Sequence, residues 1–156
     1  MNRITTKDGL GSPLSELGIV LPAPPTPLGA YVEASDTGNF LFLSGKLPVV
    51  KGKLAIAGRL GENLSVKEGR EAARIASLNA LAVAKEHLGD LDRLKKLVKL
   101  TALIGTTEQF TEHAPVADGA SDLFVQIFWP GRWACAVGLW SEKPACWDAS
   151  HRRDHF

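Results

Sequence analysis

The chain has 156 residues, of which 45% are apolar and 22% charged, a composition typical of one globular domain. Lysine and arginine number 18 and aspartate and glutamate 17, so the formal net charge is +1. This balance provides no basic surface for a phosphate backbone and argues against nucleic-acid binding. No stretch approaches the roughly 18 consecutive apolar residues of a membrane span, and Met1–Leu10 lacks the apolar core of a signal peptide. We therefore expect a cytoplasmic protein without a membrane partner.

The residue types that most often bind metals are scattered along the chain. The two cysteines, Cys135 and Cys146, belong to no CxxC pair. His151 and His155 have the spacing i, i+4, but Arg, Arg and Asp lie between them, which suits a solvated segment better than a zinc site. The sequence therefore predicts no metal site and no cofactor.

Proline and glycine punctuate the first part of the chain. Ser12–Ile19 predicts a short helix, with a proline in its first turn and a glycine near its end. Leu21–Leu28 is rich in proline and predicts an extended connector, because proline cannot donate to a sheet. Tyr31–Ala34 alternates weakly and predicts a strand, and Asp36–Asn39 has the composition of a turn.

Strand-forming residues follow this turn. Phe40–Ser44 is a continuous apolar run, which predicts a strand buried on both faces. Gly45 ends it. That glycine would let a ligand approach the backbone, and the alternative is a β-bulge or a sharp bend. Leu47–Val50 and Lys53–Ala57 flank a Lys-Gly pair, which predicts a hairpin with a two-residue turn.

Two amphipathic helices and two further strands complete the pattern. Ser65–Gly89 begins with a Ser-Val-Lys-Glu capping box and ends at a glycine. Ala114–Phe128 has apolar residues at helical spacing, and Leu97–Ile104 and Ala134–Trp140 predict strands. The order β-β-β-α-β-α-β predicts a single α+β domain over residues 1–156, with a mixed β-sheet and both helices packed on one face.

Five segments, in this order and spacing, resemble the RidA/YjgF family. They lie between about Pro22 and Phe128 and are Leu28–Tyr31, Gly38–Pro48, Ala72–Asn79, Gly89–Thr101 and Val116–Leu123. The resemblance implies a chorismate-mutase-like fold and a homotrimer with clefts between subunits. It also implies hydrolysis of reactive enamine and imine intermediates, such as 2-aminoacrylate, to keto acids and ammonia. Some similar proteins carry an endoribonuclease L-PSP label, which the charge balance does not support.

The resemblance also implies the residues of the substrate cleft. Tyr31 matches the family's cleft tyrosine, Ser44 and Gly45 match its strand-end pair, and Asp118 stands where many members have an asparagine. We expect these residues to bind a small-molecule carboxylate. Each has a plainer interpretation: a lone tyrosine often lies at the edge of a core, and an aspartate in the first turns of a helix is favoured by the helix dipole.

One implied residue is missing at its aligned position. The family clamps the substrate carboxylate with an arginine on the strand after the second helix, and Ala134 occupies that position here. Arg132 is the nearest candidate for a catalytic residue. On a regular strand it would face the same side as Ala134, roughly 6–7 Å away. An alternative is therefore a non-catalytic member that binds a small carboxylate, and a third is a chain that keeps the fold without a function.

The segment from residue 141 to 156 lacks the family's closing strand. Its charges and tryptophan show no strand periodicity. Reading Lys143–Phe156 one base later, with permitted codons, gives Asn-Leu-Pro-Val-Gly-Met-Pro-Arg-Thr-Val-Glu-Ile-Ile-Phe, which is similar to the family's ending. We therefore hypothesise a frameshifted tail. The alternative is a divergent tail that packs its tryptophan elsewhere.

Overall fold

The structure is a computed structural model that describes residues 11–27, 29–128 and 133–140, with side chains for all of these except 11–13 and 133–140. The described part contains three α-helices, six strands and a short 3-10 turn at Leu91–Arg93. In chain order the helices and strands are α1 Gly11–Glu16, β1 Ala34–Asp36, β2 Leu41–Leu43, β3 Val49–Val50, β4 Lys53–Leu54, α2 Val66–Leu88, β5 Leu97–Leu103, α3 His113–Phe128 and β6 Trp133–Trp140.

Two antiparallel hairpins form from local turn chemistry. In the turn between β1 and β2, the Gly38 N–H donates to Asp36 Oδ1 at 2.6 Å and the glycine has φ +85°. Between β3 and β4, Lys51 and Gly52 have φ of 51° and 75°. Two consecutive residues with positive φ form the two-residue turn that matches the twist of a hairpin. Both predicted turns are therefore confirmed.

The third strand pair is parallel. β5 and β6 lie side by side, with α3 as the connection between them. Leu97 pairs with Trp133 and Lys99 with Ala136. Two steps along β5 thus correspond to three along β6, so β6 holds one extra residue at that level. Parallel and antiparallel pairs occur together with helices, which confirms the α+β class. In the described residues the strands bond as three two-stranded ladders.

Both long helices cover the same side of the strands. The main buried cluster joins α2 to the last two turns of α3, with Ile127 only 1% exposed. Apolar side chains of β2 and β5 pack against this same cluster, namely Leu41, Leu43, Leu97 and Leu100. The predicted packing of two helices on one face is confirmed. It leaves the opposite side of these strands without a helix from this chain among the described elements.

Two details of the predicted strands are wrong. Phe40–Ser44 was expected to be buried on both faces, but Phe40 and Phe42 are 50% and 60% exposed. The alternating pattern arises because only Leu41 and Leu43 reach the helix layer. The first strand begins at Ala34 and not at Tyr31, because the chain bends there and the Tyr31 N–H donates to the Gly29 carbonyl at 2.9 Å.

Helix α2 begins with the predicted capping box. The Glu68 N–H donates to Ser65 Oγ at 3.3 Å, while the Ser65 N–H donates to Glu68 Oε2 at 2.8 Å. Hydrogen bonds from the Ser65 side chain and backbone lower the pKa of the Glu68 carboxyl. Gly89 closes the helix with φ +78° and an N–H bonded to the Lys85 carbonyl.

We expect Ser65→Ala to lower the free energy of unfolding by about 1 kcal/mol at neutral pH, because a free helix-start N–H loses its acceptor. The pKa of Glu68 is lower in the folded chain than in the unfolded chain. Its stabilisation is therefore present above the unfolded pKa and is lost as the pH falls through the folded pKa. Urea unfolding at several pH values should show the Ser65→Ala deficit shrinking in acid. A Glu68→Gln background, in which position 68 no longer titrates, should remove that pH dependence.

Candidate functional site

Ser44 forms hydrogen bonds that hold the open end of the β1–β2 hairpin, the end away from its connecting turn. The Ser44 N–H donates to the Glu33 carbonyl at 3.2 Å. Its hydroxyl donates to the pair of carbonyls formed by Val32, at 2.9 Å, and Glu33, at 3.1 Å. Tyr31 directly precedes these acceptors and Gly45 directly follows the donor. The backbones of three predicted site residues, Tyr31, Ser44 and Gly45, therefore lie at one place, which we call the strand end, while the Tyr31 ring lies against Gly29.

The strand end also holds an ion pair that sequence reasoning missed. The Lys46 ammonium contacts the Glu33 carboxylate, and the two side chains are only 5% and 17% exposed. Burial lowers the pKa of Lys46 from its ordinary value, because a charge is poorly solvated there. Nothing in the local sequence pattern marks this pair, since a lysine after a strand is usually solvated.

Gly45 occupies open space in the single chain. A Cβ atom built on it would meet no atom of the described part of the chain within 4 Å, and its φ lies outside the left-handed region. The β1–β2 register runs without a shift, so the bulge considered from the sequence is absent from this ladder. Among the residues that the structure describes, neither a left-handed backbone nor packing at the Cβ position requires a glycine here.

We expect Gly45→Ala to change the free energy of unfolding by no more than about 1 kcal/mol. Any change should be a small increase, because alanine reduces the conformational entropy of the unfolded chain. The measurement is urea unfolding, with Gly105→Ala as the matched control, since a Cβ there also meets open space. A loss of ligand binding in Gly45→Ala, without loss in Gly105→Ala, would show that Gly45 makes room for another molecule. A large destabilisation by Gly45→Ala would contradict the open environment.

Asp118 lies in the other layer of the molecule. It sits on the exposed side of α3, with Oδ2 at 3.9 Å from Arg70 Nη1 of α2. The same guanidinium also contacts the Asp122 carboxylate. Exposed ion pairs of this kind contribute little to stability. Within one chain the structure thus gives Asp118 a partner on the neighbouring helix, and its predicted role in the cleft stays a prediction.

The predicted arginine candidate, Arg132, lies outside the described residues, as does the segment 141–156 with its frameshift hypothesis. The backbone of Ala134 belongs to β6. Between Trp133 and Ala136, β6 holds one extra residue relative to β5. The side on which Arg132 lies relative to Ala134 stays a prediction.

Asn79 is a second residue whose role the sequence did not reveal. It points from α2 toward the segment after the strand end and is almost fully buried. Its amide nitrogen donates to the Leu47 and Val49 carbonyls, both at 2.9 Å. A polar residue within an apolar helix face is the signal that could have identified it, because buried amides are normally hydrogen-bonded. Asn79 thereby holds the chain that follows Lys46.

The described residues contain neither a candidate metal site nor a candidate membrane span. Across 11–27, 29–128 and 133–140, no group of three or more His, Cys, Asp or Glu side chains could hold a metal ion. In the same part of the chain, no helix combines the length and the apolar character needed to cross a bilayer.

Comparisons with known proteins agree on one family. Residues 11–144 match the family described as "YjgF/chorismate_mutase-like, putative endoribonuclease". The chain is 43% identical to Protein TCP17 of Trypanosoma cruzi over 129 residues, covering 81% of each protein. It is 35% identical to the crystal structure of a "putative endoribonuclease" from Shewanella oneidensis, with a TM-score of 0.81, covering 86% of this chain and 89% of the other. A protein of unknown function from Agrobacterium tumefaciens is 33% identical, with a TM-score of 0.74 and coverages of 87% and 84%. The chain therefore belongs to the YjgF/chorismate mutase-like family and has its fold.

Proposed function

We propose that the chain is a RidA-type deaminase that acts in the cytoplasm on small enamine and imine intermediates of the 2-aminoacrylate type. In this reaction water adds to the imine carbon and the carbon–nitrogen bond breaks, so that a keto acid and ammonia leave. The observation that supports the proposal is that Ser44 and Gly45 adjoin the segment that follows Tyr31 at the strand end, with open space beside the glycine. A phenol, a fixed hydroxyl and accessible backbone can bind a small polar ligand.

The proposal includes a homotrimer whose subunits complete the cleft. Several large apolar side chains stand exposed on the single chain, among them Val32, Phe40, Phe42, Val98 and Leu103. Apolar surface of this kind marks protein interfaces. Light scattering coupled to size-exclusion chromatography should therefore give three times the 16.7 kDa mass of one chain. A monomer mass at micromolar concentration would contradict the intersubunit cleft.

Small metabolites fit the charge of the chain better than RNA does. The net charge is +1, and a protein that binds a phosphate backbone needs a basic surface to neutralise it. We therefore do not extend the endoribonuclease description of the family to this chain.

A second candidate is a non-catalytic member that binds a small carboxylate. One observation favours it: Ala134 occupies the aligned position of the family arginine, and its backbone lies where β6 departs from regular pairing with β5. A methyl group cannot clamp a carboxylate or fix the reacting carbon, and catalysis depends strongly on such positioning. Binding would then survive through the strand end alone.

The deciding experiment is keto-acid release from enzymatically generated 2-aminoacrylate. If the chain is a deaminase, the parent should accelerate keto-acid release over buffer. Ser44→Ala should reduce that acceleration by about tenfold or more, because the hydroxyl that bonds the Val32 and Glu33 carbonyls is lost and the strand end is no longer held in position. The matched control is Ser121→Ala, since the Ser121 hydroxyl donates to the Ala117 carbonyl of its own helix at 3.3 Å. Ser121→Ala should behave as the parent does.

Binding of a stable keto acid, 2-oxobutyrate, separates the two candidates. Binding without acceleration supports the non-catalytic member and contradicts the deaminase. The absence of both binding and acceleration contradicts both candidates.

A further inference from the structure

The Glu33–Lys46 pair is a charged group buried at the strand end. Its ammonium and carboxylate contact each other, yet each side chain is largely removed from solvent. Apart from that contact, Lys46 Nζ and Glu33 Oε2 have no hydrogen-bond partner among the described residues. An ammonium carries three donors, and one carboxylate oxygen occupies only one of them. The pair thus has unused donors in a poorly solvated position.

A buried ion pair that only stabilises a fold is expected to have further hydrogen bonds, because these offset the loss of hydration. The pair at the strand end lacks them in the described residues. Burial also lowers the pKa of Lys46, because desolvation disfavours the charged ammonium. A second anionic group close to Nζ would compensate for that desolvation. The energetics therefore favour an additional anion at Lys46.

Open space lies beside Gly45, which has Ser44 before it and Lys46 after it in the chain: a Cβ built on Gly45 would meet no described atom within 4 Å. Asn79 holds the following segment by its bonds to Leu47 and Val49. The backbone around Lys46 is therefore fixed at both ends, by Ser44 and by Asn79. A fixed backbone reduces the entropy lost when a ligand binds.

We propose that Lys46 binds the carboxylate of the ligand and that Glu33 is a positioning residue that holds the ammonium in place. The proposal rests on the proposed function, since it assumes that the strand end accepts a small carboxylate. Lys46 would then supply the positive charge that binds the ligand carboxylate, since alanine stands at position 134, where the family has an arginine. An ammonium is a point charge with rotatable donors, whereas a guanidinium binds a carboxylate with two parallel bonds. The ligand carboxylate would therefore be held through one oxygen.

The test compares pyruvate with pyruvamide, an uncharged amide of the same shape, by titration of the full chain. The parent should prefer pyruvate. In Lys46→Met this preference should fall by about tenfold or more, because a charge-assisted hydrogen bond is lost. Lys46→Arg should restore part of it. The matched control is Lys53→Met, on exposed β4, which should keep the parent preference.

A purely structural role would lower the affinity for both probes equally, so an unchanged pyruvate to pyruvamide ratio in Lys46→Met would overturn the proposal while leaving the proposed function intact. If the parent binds neither probe, the Lys46 proposal is contradicted, and the proposed function is contradicted as well only if keto-acid release is not accelerated. Because Lys46→Met removes one half of a buried pair, it is also liable to unfold.

A measurement on the parent chain avoids that difficulty: the ¹³Cε resonance of Lys46 should shift with added pyruvate and saturate with the titration, while that of Lys53 stays fixed. A Lys46 resonance that does not move at saturating pyruvate would reject the assignment.

Discussion

Replacing Gly119 by alanine is expected to lower the free energy of unfolding by about 3 kcal/mol, because it overpacks a contact between two backbones. A Cβ on Gly119 of α3 would lie 2.7 Å from the carbonyl carbon and 3.0 Å from the Cα of Arg70 in α2. Backbone atoms within a helix cannot rotate away as a side chain can. The helices must therefore separate, and the buried cluster that joins them loses contacts. The better helix propensity of alanine returns only about 1 kcal/mol.

A graded series of glycine variants distinguishes this contact from a general effect of added methyl groups. At Gly69 the new Cβ would meet the ends of the Leu60 and Val116 side chains at 3.0–3.1 Å, and these can shift by a few tenths of an ångström. At Gly105 it would meet nothing within 4 Å. Urea unfolding should rank the losses in the order Gly119, Gly69, Gly105. Equal stability of all three variants would show that α2 and α3 are not in close backbone contact.

Asn79→Ala is the second large effect, with an expected loss of about 3 kcal/mol because two partly buried carbonyls lose their donor and a buried side chain is removed. Asn79 is 1% exposed, and its amide nitrogen satisfies both Leu47 and Val49. Thermal and urea unfolding measure the loss. Because the same bonds hold the chain after Lys46, binding of 2-oxobutyrate should weaken in parallel in the fraction that remains folded.

Three further variants locate the origin of that loss. Asn79→Leu fills the volume but supplies no donor, so it should remain destabilised. Asn79→Asp keeps the shape and directs oxygens at the two carbonyls, so at neutral pH it should be at least as unstable as Asn79→Ala. Gln126→Ala removes an exposed amide from α3 and should change little. Full recovery of stability in Asn79→Leu would assign the effect to packing and not to hydrogen bonds.

Most elements of this fold follow from local chemistry, and the sequence predicts them for that reason. The capping box at Ser65, the stop at Gly89 and the Lys-Gly turn each depend on residues within a few positions of one another. Burial was harder to predict. Phe40 and Phe42 belong to a continuous apolar run, and only their placement opposite the helix layer decides that they stay exposed in one chain.

Some residues of the candidate site could be predicted from the sequence and others could not. The resemblance implies that Tyr31, Ser44 and Gly45 share a cleft, and the ladder register brings the chain segments that hold them side by side. Their role in a cleft stays a prediction. Glu33 and Lys46 were missed, since an ion pair between segments on either side of a turn leaves no local pattern. The register shift in β6 was likewise invisible, because it depends on pairing with the distant β5.

The parallel pairing of β5 with β6 has a consequence for the order of folding. The two hairpins close over short loops, whereas Leu97 must meet Trp133 across the whole of α3. Chain entropy is lost before such a distant contact forms, so pairs of this kind assemble late and slowly. During that interval the apolar strand β5 has a free edge, which is open to pairing with another chain. Refolding yield should therefore fall as protein concentration rises, and the first intermolecular contact should form along Leu97–Leu103.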